Sequence, residues 1–103
     1  MNIELMKNLT IENAEKAASE LLKVLKSKTD VTVDLSSVER LDLSGIQLLI
    51  SAQNTGEKQK HSFNYAGPMR KTIFDKLSNN GFSLVPIEED SDLFKIRRSS
   101  GEF

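Results

Sequence analysis

The chain has 103 residues, a formal net charge of −1 and no cysteine. This length fits one domain, and the lack of cysteine excludes disulfides and thiolate metal sites. Because charges of both signs are balanced, the sequence gives no sign of a basic surface that would bind nucleic acid or an anionic membrane. We expect a cytoplasmic protein, because the first ten residues lack the pattern of a signal peptide and no apolar run approaches the ~20 residues that span a bilayer.

The N-terminal quarter predicts a short strand and then a long amphipathic helix. Asn2 to Leu5 alternates and predicts an edge strand. Thr10 is a candidate N-cap, and the helix is expected to run to about Ser27 because apolar residues recur at three- and four-residue spacing. This predicted apolar stripe consists of Ile11, Ala14, Ala18, Leu21 and Leu25.

We expect the domain to be organised around the stretch VTVDLSSVERLDLSGIQLLISAQ, which begins at Val31. Its first five residues alternate apolar and polar side chains and are rich in β-branched types, which predicts a central strand. Val38 and Leu41 are the apolar anchors of the connector that follows. Asp42-Leu43-Ser44-Gly45 then opens an apolar run too dense for a loop.

This apolar run predicts a helix from about Ser44 to Lys58. Asp42 is placed to cap the free N–H groups of its first turn, and Gly45 allows a close backbone approach. The predicted buried face contains Ile46, Leu49 and Ile50, widened by Leu48 and Ala52. The other side carries a mostly uncharged stripe, which fits an interface because uncharged polar groups are desolvated at lower cost than charges. This stripe consists of Ser44, Gln47, Ser51, Asn54 and Lys58, and Gly56 is interpreted as a frayed C-terminal end.

The second half of the chain continues the alternation of strands and helices. Phe63 and Tyr65 alternate with polar residues and predict a third strand. Pro68 suits the first position of a helix running to Ser78, since its missing N–H needs no partner there. The predicted buried residues of this helix are Met69, Ile73, Phe74 and Leu77.

Gly81 is expected to end that helix in the left-handed conformation, and a final strand follows at Phe82 to Ile87. Pro86 places the end of this strand near a sheet edge. Glu88 to Asp92 reads as an acidic turn. Leu93, Phe94 and Ile96 predict a short closing helix or strand, and residues 99–103 are expected to be disordered.

Strands that alternate with helices predict an α/β sheet with parallel pairs. The central stretch also resembles the STAS domain of bacterial anti-sigma-factor antagonists, whose pattern is DLS-x-V-x-x-x-D-[ST]-[SA]-G. Here the pattern stands as Asp34-Leu35-Ser36-Ser37-Val38 and Asp42-Leu43-Ser44-Gly45. The resemblance implies a single STAS domain over residues 1–98, with a mixed four- to five-stranded sheet, helices packed mainly on one face, and the Asp42 loop exposed at the sheet end.

The chain departs from this family at Leu43. In phospho-switch members the residue after the aspartate is Ser or Thr and accepts phosphate from a partner kinase, whereas leucine has no hydroxyl. Ser44 is the substitute candidate for phosphorylation, because a phosphate there would bring about −2 charge to a helix N-terminus beside Asp42. Ser44 also has a structural interpretation as a second cap. Leu43 is either buried packing or an exposed anchor for a partner.

Enzymatic constellations are absent from the sequence. His61, the single histidine, lies in a polar loop and has no positioned partner for general-base chemistry. There is no phosphate-binding or dinucleotide-binding glycine pattern. We therefore expect no catalytic residue, no metal and no cofactor.

The leading hypothesis is a non-enzymatic interaction module. The resemblance implies an anti-sigma factor, a related serine-kinase-like or histidine-kinase-like switch protein, or a chemotaxis-associated protein as its partner. The Gln47-Leu48-Leu49 continuation is most similar to members encoded with chemotaxis genes. The alternatives are a structural cytoplasmic subunit of a lipid-transport ABC complex and a small-ligand-sensing STAS domain. The expected partner-binding residues are Asp42, Leu43, Ser44, Gly45, Gln47, Ser51 and Asn54.

Overall fold

The structure, a computed structural model, describes residues 2–27, 29–87 and 92–98. Strands and helices alternate along most of this length. The strands are β1 (Asn2–Glu4), β2 (Asn8–Leu9), β3 (Val31–Asp34), β4 (Arg40–Leu41), β5 (Phe63–Ala66), β6 (Phe82–Pro86) and β7 (Leu93–Arg98). The α-helices are α1 (Ala14–Lys26), α2 (Leu43–Lys58) and α3 (Lys71–Asn79), and a 3-10 turn at Ile11–Asn13 precedes α1.

The main sheet has five strands in the order β1-β3-β5-β7-β6. Strands β1, β3 and β5 run parallel to one another, with Val31 opposite Phe63 and Val33 opposite Tyr65. Strand β7 is antiparallel to both of its neighbours, β5 and β6. The predicted mixed α/β sheet is therefore confirmed, and the open choice for the closing segment is resolved as a strand inside the sheet.

The helices pack on one face of this sheet. The Tyr65 hydroxyl donates a 2.9 Å hydrogen bond to the carbonyl oxygen of Leu49 on α2, so the odd-numbered residues of β5 face that helix. On β3, Val31 and Val33 are buried while Thr32 and Asp34 on the opposite face are partly exposed. Burial of one face explains why the apolar residues of β3 recur at every second position.

The predicted stripe on the first helix is partly wrong. Ile11 lies in the 3-10 turn before α1, and 68% of its surface is exposed. The tighter turn changes the phase of the chain before the α-helix begins. In α1, Leu21 and Leu25 are buried as predicted, whereas Ala17 is buried in place of Ala14 and Ala18, which are half-buried. Thr10 makes no side-chain cap, because its hydroxyl donates to the Glu12 carboxylate at 2.6 Å.

The interpretation of Gly56 as a frayed end is also wrong. Gly56 is buried inside α2, where the helix crosses β5. A Cβ at this position would lie 2.8 Å from the Cβ of Phe63 and 3.0 Å from its ring. The missing side chain therefore lets α2 approach the aromatic ring closely, which a local reading of helix propensity does not reveal.

The third helix begins later than predicted. It starts at Lys71 rather than at Pro68, whose peptide bond with Gly67 is cis. Ile73 is buried as expected, but 47% of Phe74 is exposed. The reason is helical geometry: one residue advances the chain by about 100°, which turns Phe74 away from the sheet.

The predictions for the end of α3 and for the edge strand that follows it are confirmed. Gly81 follows the helix with φ of +85°, in the left-handed region, and β6 is an edge strand that ends at Pro86. Residues 88–91 of the predicted acidic turn and the predicted disordered tail, residues 99–103, lie outside the described residues.

Candidate functional site

A second, two-stranded sheet brings the segment before α1 against the loop before α2. Strands β2 and β4 pair in parallel, with Asn8 opposite Arg40 and Leu9 opposite Leu41. The apolar anchors Val38 and Leu41 are buried, as predicted. This pairing places the start of the 3-10 turn beside Asp42, at one end of the molecule's main sheet.

Asp42 links the beginnings of two helical segments. Its Oδ1 accepts a 3.0 Å hydrogen bond from the N–H of Gly45, which confirms the predicted cap of α2. Its Oδ2 accepts a 2.9 Å bond from the N–H of Ile11, 31 positions earlier, which the sequence did not indicate. One carboxylate thus fixes the loop against the 3-10 turn.

The surroundings of Asp42 favour the ionised form. Partial desolvation acts to raise the pKa of Asp42, but the hydrogen bonds from the backbone N–H groups of Gly45, Ile11 and Ser44, with the nearby charge of Lys76, outweigh it. The pKa of Asp42 is therefore lower than that of an ordinary aspartate, because backbone donors stabilise its charge. The cap is a charge-assisted one at neutral pH.

Gly45 is required by a close approach, as predicted. A Cβ on Gly45 would lie 2.1 Å from the carbonyl oxygen of Leu9 and 2.9 Å from Cδ1 of Leu41. The same Leu9 oxygen accepts the N–H of Asp42 at 3.4 Å. Only glycine lets the first turn of α2 sit against β2 at this distance.

Leu43 is exposed, which decides between its two predicted roles. It is the first residue of α2, and 51% of its surface is accessible. Ile11, bonded through its backbone to Asp42, is exposed as well. Both apolar residues therefore lie beside Asp42, whose carboxylate holds the backbone of this region in place. The Asp42–Gly45 segment, which consists of the N-cap and the first three residues of α2, is called the docking loop below, after the role proposed for it.

The polar stripe on α2 also lies where the sequence predicts it. Gln47, Ser51 and Asn54 are exposed, and Ser44 is half-buried at the second position of the helix. At 1.5 Å per residue, the stripe extends about 15 Å along the helix from Ser44 to Asn54. It forms one surface with the docking loop.

Gln53 is a structural residue that the sequence analysis missed. Its side chain is buried, and its amide pairs with both backbone groups of Ile96: Nε2 donates to the carbonyl and Oε1 accepts from the N–H, each at 3.1 Å. The signal was present, since Gln53 stands four residues after Leu49 on the apolar face of the helix. A polar residue on a buried face needs partners, and here they are backbone groups of β7.

A cluster of ion pairs links the C-terminal half of α2 to β7, near the contact between Gln53 and Ile96. Glu57 on α2 binds Lys95 at 3.0 Å and Arg97 at 2.8 Å, and Lys95 also donates to the carbonyl of Phe63 at 2.9 Å. Partial burial acts to raise the pKa of Glu57, but these two cations lower it overall. The cluster joins α2 to β7 where the β5–β7 ladder ends.

The described part of the chain shows no arrangement typical of a metal site. Nδ1 of His61 lies 3.9 Å from Oδ1 of Asp30 on the surface. Across residues 2–27, 29–87 and 92–98, no three His, Asp or Glu side chains gather closely enough to hold an ion. Over the same ranges, no helix has the length and apolar character needed to cross a bilayer.

The fold agrees with a comparison of the chain to known protein families. Residues 1–75 match the family model described as "Mlab, STAS domain". No curated protein and no solved structure gives a match. The matched segment contains β1 through β5, including both capped segments at Asp42, and most of the chain is covered. The chain therefore belongs to the STAS domain family.

Proposed function

We propose that this chain is a non-enzymatic protein-interaction module of a bacterial signalling pathway. It docks its partner through the docking loop and the stripe formed by Gln47, Ser51 and Asn54. STAS domains generally act as interaction or regulatory modules, which supports this class of function. The observation that carries the proposal is the exposure of Leu43 on a loop whose backbone is fixed by Asp42.

A fixed, exposed leucine is a suitable anchor for a partner. Complete burial of a leucine side chain contributes roughly 1.5–3 kcal/mol. Because Leu43 is half exposed, covering the remaining surface in a complex would contribute about 1 kcal/mol, and Ile11 adds a comparable amount. The loop is already ordered, so little conformational entropy is lost on binding. The uncharged stripe beside these anchors supplies a polar rim of low desolvation cost.

The chemistry of the loop determines how such a partner is regulated. Leu43 has no hydroxyl, so a phosphate switch requires Ser44. A phosphate on Ser44 would lie at the N-terminus of α2, which favours negative charge, but beside the ionised Asp42, which opposes it. A partner fitted to an apolar, neutral loop would be released. By resemblance, this partner is an anti-sigma factor, a kinase-like switch protein or a chemotaxis-associated protein.

A second candidate function is that of a structural cytoplasmic subunit of a lipid-transport ABC complex. It is favoured by two observations: the apolar residue at position 43, which suits a constitutive interface, and the family description, which names Mlab rather than an anti-sigma-factor antagonist. This candidate predicts stable co-purification with an ATPase and no response to a kinase.

Affinity capture from the source cells with three baits tests both candidates. The baits are the wild-type chain, Leu43→Asp, and Leu22→Asp on α1 as a matched control, because the exposed fractions of Leu22 and Leu43 are 52% and 51%. We expect a partner that binds wild type and Leu22→Asp but is lost with Leu43→Asp. Retention of every partner by Leu43→Asp would contradict docking through this loop.

Mass spectrometry of the captured proteins separates the two candidates. A kinase-like partner, together with phosphate on Ser44 of the bait, supports the switch. An ABC-type ATPase, with unmodified Ser44, supports the structural subunit.

A further inference from the structure

A groove opens between the middle of α2 and the hairpin of β6 and β7. The β5–β7 ladder ends at the pair of Tyr65 and Phe94, after which β7 departs from β5. Beyond that point, Gln53 holds Ile96 through its two 3.1 Å hydrogen bonds. The groove has a volume of about 370 Å³, which is within the range of roughly 300–1,000 Å³ of small-molecule sites.

The groove has an apolar floor and a polar rim. Ile50, Phe82 and Ile96 form the floor, and the last two are buried. The α2 rim supplies one hydroxyl and two primary amides, from Ser51, Gln47 and Asn54. Such a lining orients a ligand by a few polar groups and stabilises it through its apolar part.

The opposite rim is cationic. It carries Arg98 and also Arg97, whose charge is partly offset by the adjacent Glu57 carboxylate. Arg97 is held by Glu57, with Nη2 at 2.8 Å from Oε2. The guanidinium carbon of Arg98 lies over the Phe82 ring, 5.4 Å from its centroid, which is a cation–π contact at the floor of the groove. Guanidinium groups recognise carboxylates and phosphates through paired N–H donors.

We propose that this groove is a binding site for a small organic anion. Its apolar body would cover Phe82 and Ile50, and its phosphate, sulfonate or carboxylate group would pair with Arg98 and Arg97. The amides of the α2 rim add hydrogen bonds to the same charged group. The groove shares Gln47, Ser51 and Asn54 with the proposed docking surface. The site goes beyond the proposed docking function, because its apolar floor and its arginines lie outside that surface and it does not include Leu43.

Titration of the isotope-labelled full chain with phenyl phosphate, followed by NMR, tests the site. Inorganic phosphate and phenol serve as matched probes of the anion and the apolar body alone. We expect saturable shifts of the Gln47 and Asn54 side-chain amides, and a dissociation constant for phenyl phosphate at least about tenfold lower than for either fragment. Absence of saturable shifts, or equal binding of inorganic phosphate, would overturn the proposal.

Variants locate the site on the chain. Arg98→Gln is expected to weaken phenyl phosphate binding by about tenfold, because a charge-assisted contact is replaced by a neutral one. Arg70→Gln, at an exposed arginine paired with Glu39 at the start of α3, is the control and should bind as wild type. Asn54→Ala is a second test at an exposed position. Wild-type binding by both Arg98→Gln and Asn54→Ala refutes the assignment.

Leu43→Asp separates this proposal from the docking function. It should bind phenyl phosphate with wild-type affinity while losing the captured partner. A loss of phenyl phosphate binding in Leu43→Asp would show that the anion binds at the docking loop instead and would overturn the groove site.

Discussion

Replacing Asp42 by alanine should destabilise the domain by about 2 kcal/mol. The substitution removes a helix cap, which typically costs about 1 kcal/mol. It also removes the hydrogen bond that the Asp42 carboxylate accepts from the N–H of Ile11. Because that N–H is near solvent, water can partly replace the lost acceptor, so this second loss should cost about another 1 kcal/mol of stability. For a domain of this size, 2 kcal/mol corresponds to a decrease of roughly 10 °C in Tm.

Asp42→Asn should lose about half of this amount, because an amide offers one acceptor oxygen where the carboxylate offers two. Urea unfolding followed by circular dichroism measures the free energy of unfolding of each variant. Asp75→Ala is the matched control: its carboxylate forms an exposed ion pair with Lys71, 3.0 Å away, whose contribution is at most about 0.5 kcal/mol.

The same comparison should depend on pH. The pKa of Asp42 is lower in the folded state than in the unfolded chain, so its stabilisation is fully present above the unfolded value of about 3.9 and is lost as pH falls through the folded value. The advantage of wild type over Asp42→Asn should therefore be largest at pH 7 and shrink below about pH 4. A pH-independent advantage, or an Asp42→Ala variant as stable as Asp75→Ala, would refute this reasoning.

Two further substitutions test the packing around the loop and beneath the groove. Gly45→Ala should lower the free energy of unfolding by about 3 kcal/mol or more, because its Cβ would meet the Leu9 carbonyl oxygen at 2.1 Å. Gly81→Ala is the control: a Cβ there has no atom within 4 Å, so it should cost only about 1 kcal/mol, for its positive φ. Thermal unfolding measures both variants, and equal losses would contradict this reasoning. Gln53→Met keeps most of the side-chain volume but removes both hydrogen bonds to the backbone of Ile96. Urea unfolding should therefore show a free energy of unfolding lower by about 2–4 kcal/mol. A decrease below about 0.5 kcal/mol would contradict the role of Gln53 as the partner of the Ile96 backbone.

Local chemistry made the central loop predictable. Asp42 stands before a dense apolar run, so its role as a cap follows from the position alone. Gly45 follows from the need for close approach in the first turn. The strand at Val31 to Asp34 was visible because a sheet covered on one face by helices buries every second residue.

Tertiary pairings were not predictable. Strand β2 contains only Asn8 and Leu9, too short for any periodic signal, yet it positions Ile11 beside Asp42. Gly56 looked like a helix end, because the Phe63 ring that requires it comes from a separate strand. The exposure of Leu43 likewise depends on how the loop packs, and no pattern of neighbours in the sequence fixes it.

Site-specific photo-crosslinking tests the central claim, docking through the loop, most directly. A photoreactive residue is placed at position 43 in one variant and at position 22 in another, and both are irradiated in the source cells. The account predicts a crosslinked protein from position 43 and none from position 22, although both leucines are equally exposed. A crosslink from position 22 alone would contradict it, because the partner would then contact α1 rather than the docking loop.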